Sequence, residues 1–201
     1  MYTDLSGHLP ILALLITLGI LLFTPVGGVL AQVVVSTGSY VGMAVASIWD
    51  KDIRSDMNAI GWNPFNTNES SVYGSNKVSF YKGVPIFLKD SGRSGSIYAI
   101  SLNRYSSIDT LRHERGHNWQ AMMMGIGTYG ITVGITSPPA LGPWDKPGGS
   151  GYYSAPWETL ADILGGVQGR VHSNEVKARA WLYYATSMIC PPAAFLFLLW
   201  D

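Results

Sequence analysis

Cysteine is almost absent from this sequence, because Cys190 is the only one in 201 residues. A single thiol excludes an internal disulfide, and it also excludes a metal site built from several cysteine ligands. A stable fold must therefore rest on a hydrophobic core, for which a chain of this length is sufficient in one domain. The lone cysteine does not indicate a cellular compartment.

Net charge is also absent, since 13 basic residues are balanced by 13 acidic ones. All the basic residues follow position 50, where they are scattered among acidic residues and do not form a run. Proteins that bind nucleic acid need a basic surface that neutralises phosphates. The composition therefore predicts that nucleic acid is not a partner.

No charged side chain occurs within residues 5–49. Leu9–Thr24 is almost wholly aliphatic, and Val29–Trp49 is apolar but rich in small residues. A secretory signal fits poorly, because Asp4 is present and no lysine or arginine precedes the apolar run. The pattern predicts apolar helices that form either a membrane hairpin or one long kinked membrane span, or that form a buried helical hairpin. We favour membrane association of residues 9–49.

The residues that follow indicate a division of the chain into three parts. Residues 50–76 are polar and rich in turn-forming residues, which predicts a linker with little structure. Residues 1–49 form the apolar part, and residues 77–201 form the expected main domain.

Alternating apolar residues predict a small sheet at the start of that domain. Val78–Tyr81 and Val84–Leu88 predict a hairpin around Lys82-Gly83, and Ser96–Leu102 predicts a third strand. Pro85 favours an edge position for the second strand. We expect a three-stranded antiparallel sheet, with an edge to which an extended peptide can be added as a further strand.

The most informative stretch is His113-Glu-Arg-Gly-His117, which has the pattern H-E-x-x-H. On a helix, two histidines four residues apart lie one turn apart on the same face. Both imidazoles can then bind one Zn²⁺, and Glu114 can act as general base on a water molecule. Gly116 is unfavourable in mid-helix, which indicates close packing against another element. A surface helix that carries two histidines by chance is the competing interpretation.

The ends of this helix are also marked in the sequence. Ser106 and Ser107 are candidate N-cap residues, Asp109 falls in the first turn, and Gly125 is a candidate for the end.

A second helix is predicted with Pro156 in its first turn and Gly165-Gly166 at its end, and Glu158 and Asp162 share one of its faces. Catalytic zinc has three protein ligands and one open position. Glu158 is the predicted third ligand. Asp162, one turn on, is predicted to accept a hydrogen bond from a ligand histidine and to fix its tautomer. A solvated acidic face on a short helix is the alternative interpretation.

Three residues near the predicted Glu158 helix are candidates for stabilising a transition state. Ser137–Ser154 is a long loop, rich in proline and glycine, that ends in Tyr152 and Tyr153. Either tyrosine can donate a hydrogen bond to a developing oxyanion, and His172 is the other candidate. Simple packing roles for these three residues are the competing interpretation.

Two segments complete the expected fold. Tyr129–Ile135 is apolar and β-branched, which indicates a strand or a loop against an apolar surface. Ser173–Ile189 predicts a C-terminal helix with Ser173 as its cap. The predicted fold class is α+β, with a small antiparallel sheet before the active-site helix and an apolar helical segment at the N-terminus.

HERGH followed by ETLAD resembles the thermolysin-type zinc peptidases, or gluzincins, in which a glutamate is the third ligand and an aspartate follows four residues later. MYTDLSGHLP resembles the end of the core domain of RHS-repeat proteins. SFYKGVPIFLKDSGRSGSIYAISLNR, TLRHERGHNWQ and PWETLADILGGV resemble a variable C-terminal domain attached to some RHS repeats. Leu5 stands where that family usually has proline, and the repeats themselves are absent.

The resemblance implies an RHS-associated metallopeptidase of zincin-like fold, acting as the toxin tip of a larger bacterial protein. It implies Zn²⁺ as cofactor, a protein or peptide substrate, and an RHS shell and an immunity protein as partners. It also implies a location at a membrane, at the cell surface or outside the cell. The competing hypothesis is a non-catalytic, membrane-inserting or structural tip whose metal only joins two helices.

Overall fold

The computed structural model describes residues 8–134, 152–191 and 193. Within these residues the helices are α1 (His8–Phe23), α2 (Pro25–Ala46), α3 (Lys51–Ala59), α4 (Glu69–Tyr73), α5 (Ile108–Met124), α6 (Ile126–Tyr129), α7 (Pro156–Gly165) and α8 (Asn174–Ile189). The strands are β1 (Val78–Tyr81), β2 (Val84–Lys89), β3 (Gly95–Ser96) and β4 (Ile100–Asn103). A π-helical turn (Gly130–Gly134) follows α6, and a 3-10 turn (Tyr152–Ser154) precedes α7.

The predicted α+β class is confirmed, but the sheet differs from the one expected. Its strand order is β1-β2-β4-β3. The β1–β2 and β3–β4 pairs are antiparallel, whereas β2 and β4 are parallel. Lys82 and Gly83 connect β1 to β2, as predicted. The prediction of a three-stranded antiparallel sheet is therefore wrong, because the sheet has four strands and is mixed.

The difference arises in Ser96–Leu102, which was predicted as one strand and is broken in its middle. The carbonyl of Ile97 accepts a hydrogen bond from the Asn118 side-chain amide at 2.8 Å. The carbonyl of Tyr98 accepts one from the Gln32 amide at 2.9 Å. Because side chains of α5 and α2 donate to these carbonyls, the carbonyls do not need hydrogen bonds from a neighbouring strand. The chain reverses here, which places β3 at the sheet edge and β4 between β3 and β2.

Pro85 lies in an interior strand, so the predicted edge position is also wrong. The amide of Leu88 donates to the carbonyl of Lys77 on the β1 side. Alternation along the strand therefore turns the nitrogen of Pro85 away from β1. On that other side, pairing with β4 begins only at Ile86 opposite Ile100. Position 85 needs no backbone donor, which is why proline is tolerated in β2.

Residues 50–76 are more structured than the linker that we expected, since they contain α3 and α4. Asp56 of α3 is buried. Its carboxylate accepts hydrogen bonds from the backbone N–H groups of Asn76, Lys77 and Val78, at 2.7, 2.7 and 3.0 Å. These bonds join α3 to the start of β1.

The predicted ends of the helices are confirmed. The Ser107 hydroxyl accepts a hydrogen bond from the Thr110 amide at the start of α5, and Gly125 ends that helix with a φ of 74°. Gly166 ends α7 in a left-handed conformation, and Ser173 caps α8.

Two glycines bring α5 and α7 into direct backbone contact. A Cβ atom on Gly116 would lie 1.8 Å from the carbonyl oxygen of Ala161. A Cβ atom on Gly165 would lie 1.9 Å from the carbonyl oxygen of Arg112. The close packing predicted at Gly116 is therefore confirmed, and it occurs against the helix that carries Glu158.

On another side, α5 packs against α2. Gly28 of α2 lies so close to α5 that a Cβ atom there would be 2.2 Å from the carbonyl oxygen of Met122.

By length and composition, α2 is long and apolar enough to cross a membrane, and α1 is a shorter apolar helix. The predicted pair of apolar helices is therefore present.

The segment Tyr129–Gly134 is helical, so the prediction of a strand or loop is wrong there. Tyr129 ends α6, and the π-helical turn follows. In that turn the Thr132 hydroxyl donates to the carbonyl of Thr128 at 2.8 Å. Ile135 and positions 137–151 of the predicted long loop lie outside the described residues.

We expect Asp56→Ala to lower the free energy of unfolding by about 3 kcal/mol, because it removes a buried carboxylate that accepts hydrogen bonds from three backbone N–H groups. Ser55→Ala is the control, since Ser55 is the exposed neighbour on α3, and its effect should stay within about 0.5 kcal/mol. Urea denaturation followed by tryptophan fluorescence measures both. Equal midpoints for the two variants would show that α3 does not anchor β1.

Candidate metal centre

Three predicted ligands converge where α5 crosses α7. The Nε2 atom of His113 lies 2.9 Å from Oε2 of Glu158 and 3.1 Å from Nε2 of His117. The Nε2 atom of His117 lies 3.4 Å from the same carboxylate oxygen. All three side chains are buried, and together they form a group that can hold a metal ion.

These separations suit a tetrahedral ion. With bonds of about 2.0–2.1 Å, two ligand atoms of a tetrahedral zinc site lie about 3.3 Å apart. The Glu158 Oε2 atom is buried and, despite its proximity to both imidazoles, makes no hydrogen bond of acceptable geometry within the described residues. A cation among the three atoms would give this oxygen a partner.

Asp162 lies behind His113, as the sequence predicted. Its Oδ1 atom is 2.7 Å from Nδ1 of His113. Arg170 donates to the same oxygen at 2.7 Å, and Nε2 of His172 lies 2.8 Å from Oδ2. Because the carboxylate accepts from Nδ1–H, Nε2 of His113 faces Glu158 and His117, and this nitrogen supplies the lone pair for a metal once its proton is lost. The tautomer that metal binding requires is thereby fixed.

Gln120 has the same role for the second histidine, and the sequence analysis missed it. Its side-chain oxygen lies 2.7 Å from Nδ1 of His117, and its amide donates to the carbonyl of Trp157 at 2.6 Å. With its nitrogen occupied as a donor, the amide group must accept the Nδ1–H of His117 through oxygen. The available signal was the spacing, since residues three apart on a helix are neighbours.

Arg170 is the second residue that the sequence analysis missed. Its guanidinium lies over the ring of Tyr153, 3.6 Å from the centroid, and that ring meets His113 edge-on at 5.9 Å. Tyr153 lines the cavity described below, whereas His172 is bound to Asp162 and is not among the lining residues. Tyr152 also lines the cavity. The structure therefore places the three candidate oxyanion donors differently, with both tyrosines at the cavity and His172 behind it.

A cavity of about 680 Å³, open to solvent, lies over the three ligands. Glu114 and the candidate ligands form one part of its wall, and the edge strand β3 forms another. The remaining wall includes Tyr129, Val133, Tyr152, Tyr153 and Arg170. The Glu114 backbone carbonyl accepts a hydrogen bond from Ser96 Oγ at 2.5 Å, whereas its side-chain Oε2 is buried and has no hydrogen-bond partner in the described chain.

The charges of the cluster shift two pKa values. Burial disfavours the charged form of His113, but the carboxylates of Asp162 and Glu158 outweigh this effect and raise its pKa to about 9. Burial also acts to raise the pKa of Glu158, but the adjacent imidazoles of His117 and His113 hold it well below its usual range. Without a metal ion, the cluster therefore holds a proton on His113 at neutral pH.

No family model, curated protein or solved structure matches this chain. The resemblance to gluzincins and to RHS-associated domains therefore stays a prediction. The metal cluster itself depends only on the geometry of its residues.

We expect the chain to bind one zinc ion and to release about one proton per ion at pH 7. A metal needs the neutral imidazole of His113, whose pKa without metal is about 9. Zinc affinity should therefore rise as pH rises towards 9, by about tenfold per unit, and then level off. Calorimetric titrations in two buffers of different ionisation enthalpy count the protons. A stoichiometry well below one zinc ion per chain after remetallation would contradict the prediction of a metal site.

Gly116→Ala should separate α5 from α7 and weaken zinc binding by at least about 10–100-fold, the effect of losing an outer hydrogen bond to a ligand. The reason is that a Cβ atom would lie 1.8 Å from Ala161 oxygen, so the backbones must move apart. Gly130→Ala is the matched control, because Gly130 has open space and an ordinary helical φ of −60°. Competition with a chromophoric chelator measures both affinities, and equal affinities would contradict the packing argument.

Proposed function

We propose that this chain is a zinc-dependent endopeptidase and the C-terminal effector domain of an RHS-type protein. The convergence of His113, His117 and Glu158 next to Glu114, in a cavity open to solvent, carries the proposal. Catalytic zinc sites have three protein ligands and an open position, whereas structural sites are closed by a fourth ligand. In the described part of the chain, the group has three such side chains and no fourth.

Glu114 is the general base in this proposal. Its buried Oε2 atom accepts no hydrogen bond from the described residues, which leaves it available for a proton from the attacking water molecule. The same carboxyl group then passes that proton to the leaving amine. Zinc, when bound, supplies Lewis acidity towards the substrate carbonyl and makes the water more acidic.

The edge of the sheet supports a peptide as substrate. β3 is the outermost strand of the sheet and lines the cavity, so an extended peptide can pair with it through main-chain hydrogen bonds. Ser96 of β3 is bound to the backbone of Glu114, which fixes the distance between this edge and the general base. Pairing along β3 would therefore place the scissile bond of the peptide over the cluster.

Tyr153 is our candidate donor to the developing oxyanion, since it lines the cavity and lies beside His113. The guanidinium of Arg170 lies over the Tyr153 ring and also donates a hydrogen bond to Asp162. Arg170 therefore holds the Tyr153 ring in place relative to Asp162. His172 is assigned to holding Asp162 rather than to the oxyanion. These roles distinguish residues that would contact substrate from residues that position a ligand.

A metal that only joins two helices is the alternative function. Such a structural site does not need Glu114, because that residue is not a ligand. A buried carboxylate oxygen without a partner costs stability, and costs of this kind are typical of catalytic positions. This observation favours the enzyme over the structural tip.

The RHS shell, an immunity protein and a toxin role at the cell surface or outside the cell follow from the motif resemblance. They are part of the proposal as the setting in which a peptidase tip would act. The cavity and the cluster support the chemistry of this proposal.

Glu114→Gln should keep one zinc per chain and lower peptide hydrolysis at least about 100-fold, because an amide cannot accept the proton of the attacking water. Glu175→Gln is the control, since Glu175 is exposed on α8, and it should leave both quantities unchanged. Cleavage of an unfolded protein such as casein, with metal content measured on the same samples, tests both variants.

Glu158→Ala, which removes a ligand, should weaken zinc binding more than Asp162→Ala, for which about 10–100-fold is expected. Full activity in Glu114→Gln would contradict the catalytic role even with zinc bound. A wild-type chain that binds zinc and cleaves no protein would favour the structural alternative.

A further inference from the structure

The helix α1 contacts the rest of the described chain at its C-terminal end, where Leu21 lies against Gly27 and Phe23 against Gly127, and its described side chains are otherwise exposed. Its large apolar side chains from Ile11 to Phe23 are 40–60% exposed, and they point in every direction around the helix. Both described hydroxyls bond back to the helix itself: Thr17 donates to the carbonyl of Ala13 at 2.8 Å and Thr24 to that of Ile20 at 2.5 Å. From Ile11 to Thr24, the outer surface of α1 therefore offers no polar group that needs water or a protein partner.

The polarity of α2 is the reverse of that of a helix on a water-soluble domain. Three of its polar side chains face inwards: Gln32 donates to the carbonyl of Tyr98, Ser36 to that of Gly83, and Tyr40 to that of Trp62. Its outward face consists mainly of exposed apolar residues, and Thr37 is the exposed hydroxyl residue among them. The apolar residues are Val26, Val29, Leu30, Val33, Val34, Val41 and Val45. Water is therefore an unfavourable solvent for the outward face.

Contacts with the domain extend along the full length of α2. They run from Gly28 near its start, which packs on the backbone of Met122, to Met43 near its end, which packs on Met57 and Phe80. At 22 residues, α2 is about 33 Å long, enough to cross a bilayer. A crossing helix would carry the attached domain with it into the hydrocarbon.

Lys82 argues against such a crossing. It is exposed and adjoins Gly83, whose carbonyl is bound to Ser36 in the middle of α2. If α2 crossed the bilayer, this lysine would lie near the midplane, where charged side chains are among the most unfavourable residues. A helix that lies in the plane of the membrane surface keeps Lys82 and the rest of the domain in water.

We propose that the chain docks on a lipid bilayer, with α1 embedded in lipid and α2 in the plane of the surface. The outward valine face of α2 contacts the acyl chains, and its polar face holds the catalytic domain. Trp49, 77% exposed just beyond α2, is placed as an interfacial anchor. This inference does not depend on the proposed peptidase activity.

Lipid is the occupant that the surface favours over a second protein copy. A protein face covers one side of a helix, whereas α1 is exposed all around. The outward faces of α1 and α2 also contain no charged side chain that could fix the register of a protein interface. The acyl chains of lipid can surround α1 on all sides, and they need no charged side chain to fix their position.

Depth measurements on the full chain distinguish docking in the plane from crossing. With Cys190, the lone and exposed cysteine, replaced by serine, single cysteines are introduced as Val26→Cys, Val34→Cys and Val45→Cys and labelled with a fluorophore. The zinc-loaded proteins are bound to vesicles of equimolar phosphatidylcholine and phosphatidylglycerol that contain quencher lipids at known depths. We expect all three labels at the same shallow depth, about 5–10 Å below the headgroups.

A label at position 34 near the bilayer centre, with shallow labels at 26 and 45, would overturn the proposal in favour of a spanning α2. Failure of the wild-type chain to float with vesicles would also overturn it, and a dimer in that sample would identify a second copy as the cover. Lys177→Cys on α8 is the control and should show no quenching. Metal content confirms that each variant is folded, and Val33→Cys replaces any that is not.

Discussion

The direct contact between the backbones of α5 and α7 is the constraint on which the candidate metal centre depends. Packed helices usually lie 8–10 Å apart because side chains separate them. Gly116 and Gly165 remove that separation at the crossing, so each glycine faces a carbonyl oxygen of the other helix. The short carboxylate of Glu158 can then reach both imidazoles, which would otherwise lie too far from α7.

The polar residues around the ligands form a second constraint, which holds the loop after α7 in place. The carboxylate of Asp109, in the first turn of α5, accepts hydrogen bonds from the amides of Gln168 and Gly169 at 3.2 and 2.7 Å. The following residue, Arg170, is thereby brought to Asp162, and Asp162 fixes His113. Through this loop, Asp109 in the first turn of α5 therefore orients His113, which lies one turn further along the same helix.

Features that depend on local spacing were predictable from the sequence, whereas those that depend on distant partners were not. The ligand pair on α5 follows from a separation of four residues, as does the pairing of a glutamate with an aspartate on α7. The break after β3 depends on Gln32 reaching Tyr98 across 66 positions. No pattern near Arg170 indicates that it lies over Tyr153. In both cases tertiary contacts decide, and periodicity contains no information about them.

The inward polar face of α2 has a consequence for where the folding unit begins. A chain shortened to start at Lys51 would lose Gln32, so that the carbonyl of Tyr98 and the amide of Asn118 would lose a bonding partner. The backbone of α5 that Gly28 now covers would be opened to water. The apolar N-terminal segment is thus an integral part of the scaffold that holds α5 and its candidate metal ligands, and it cannot be removed as a separate anchor.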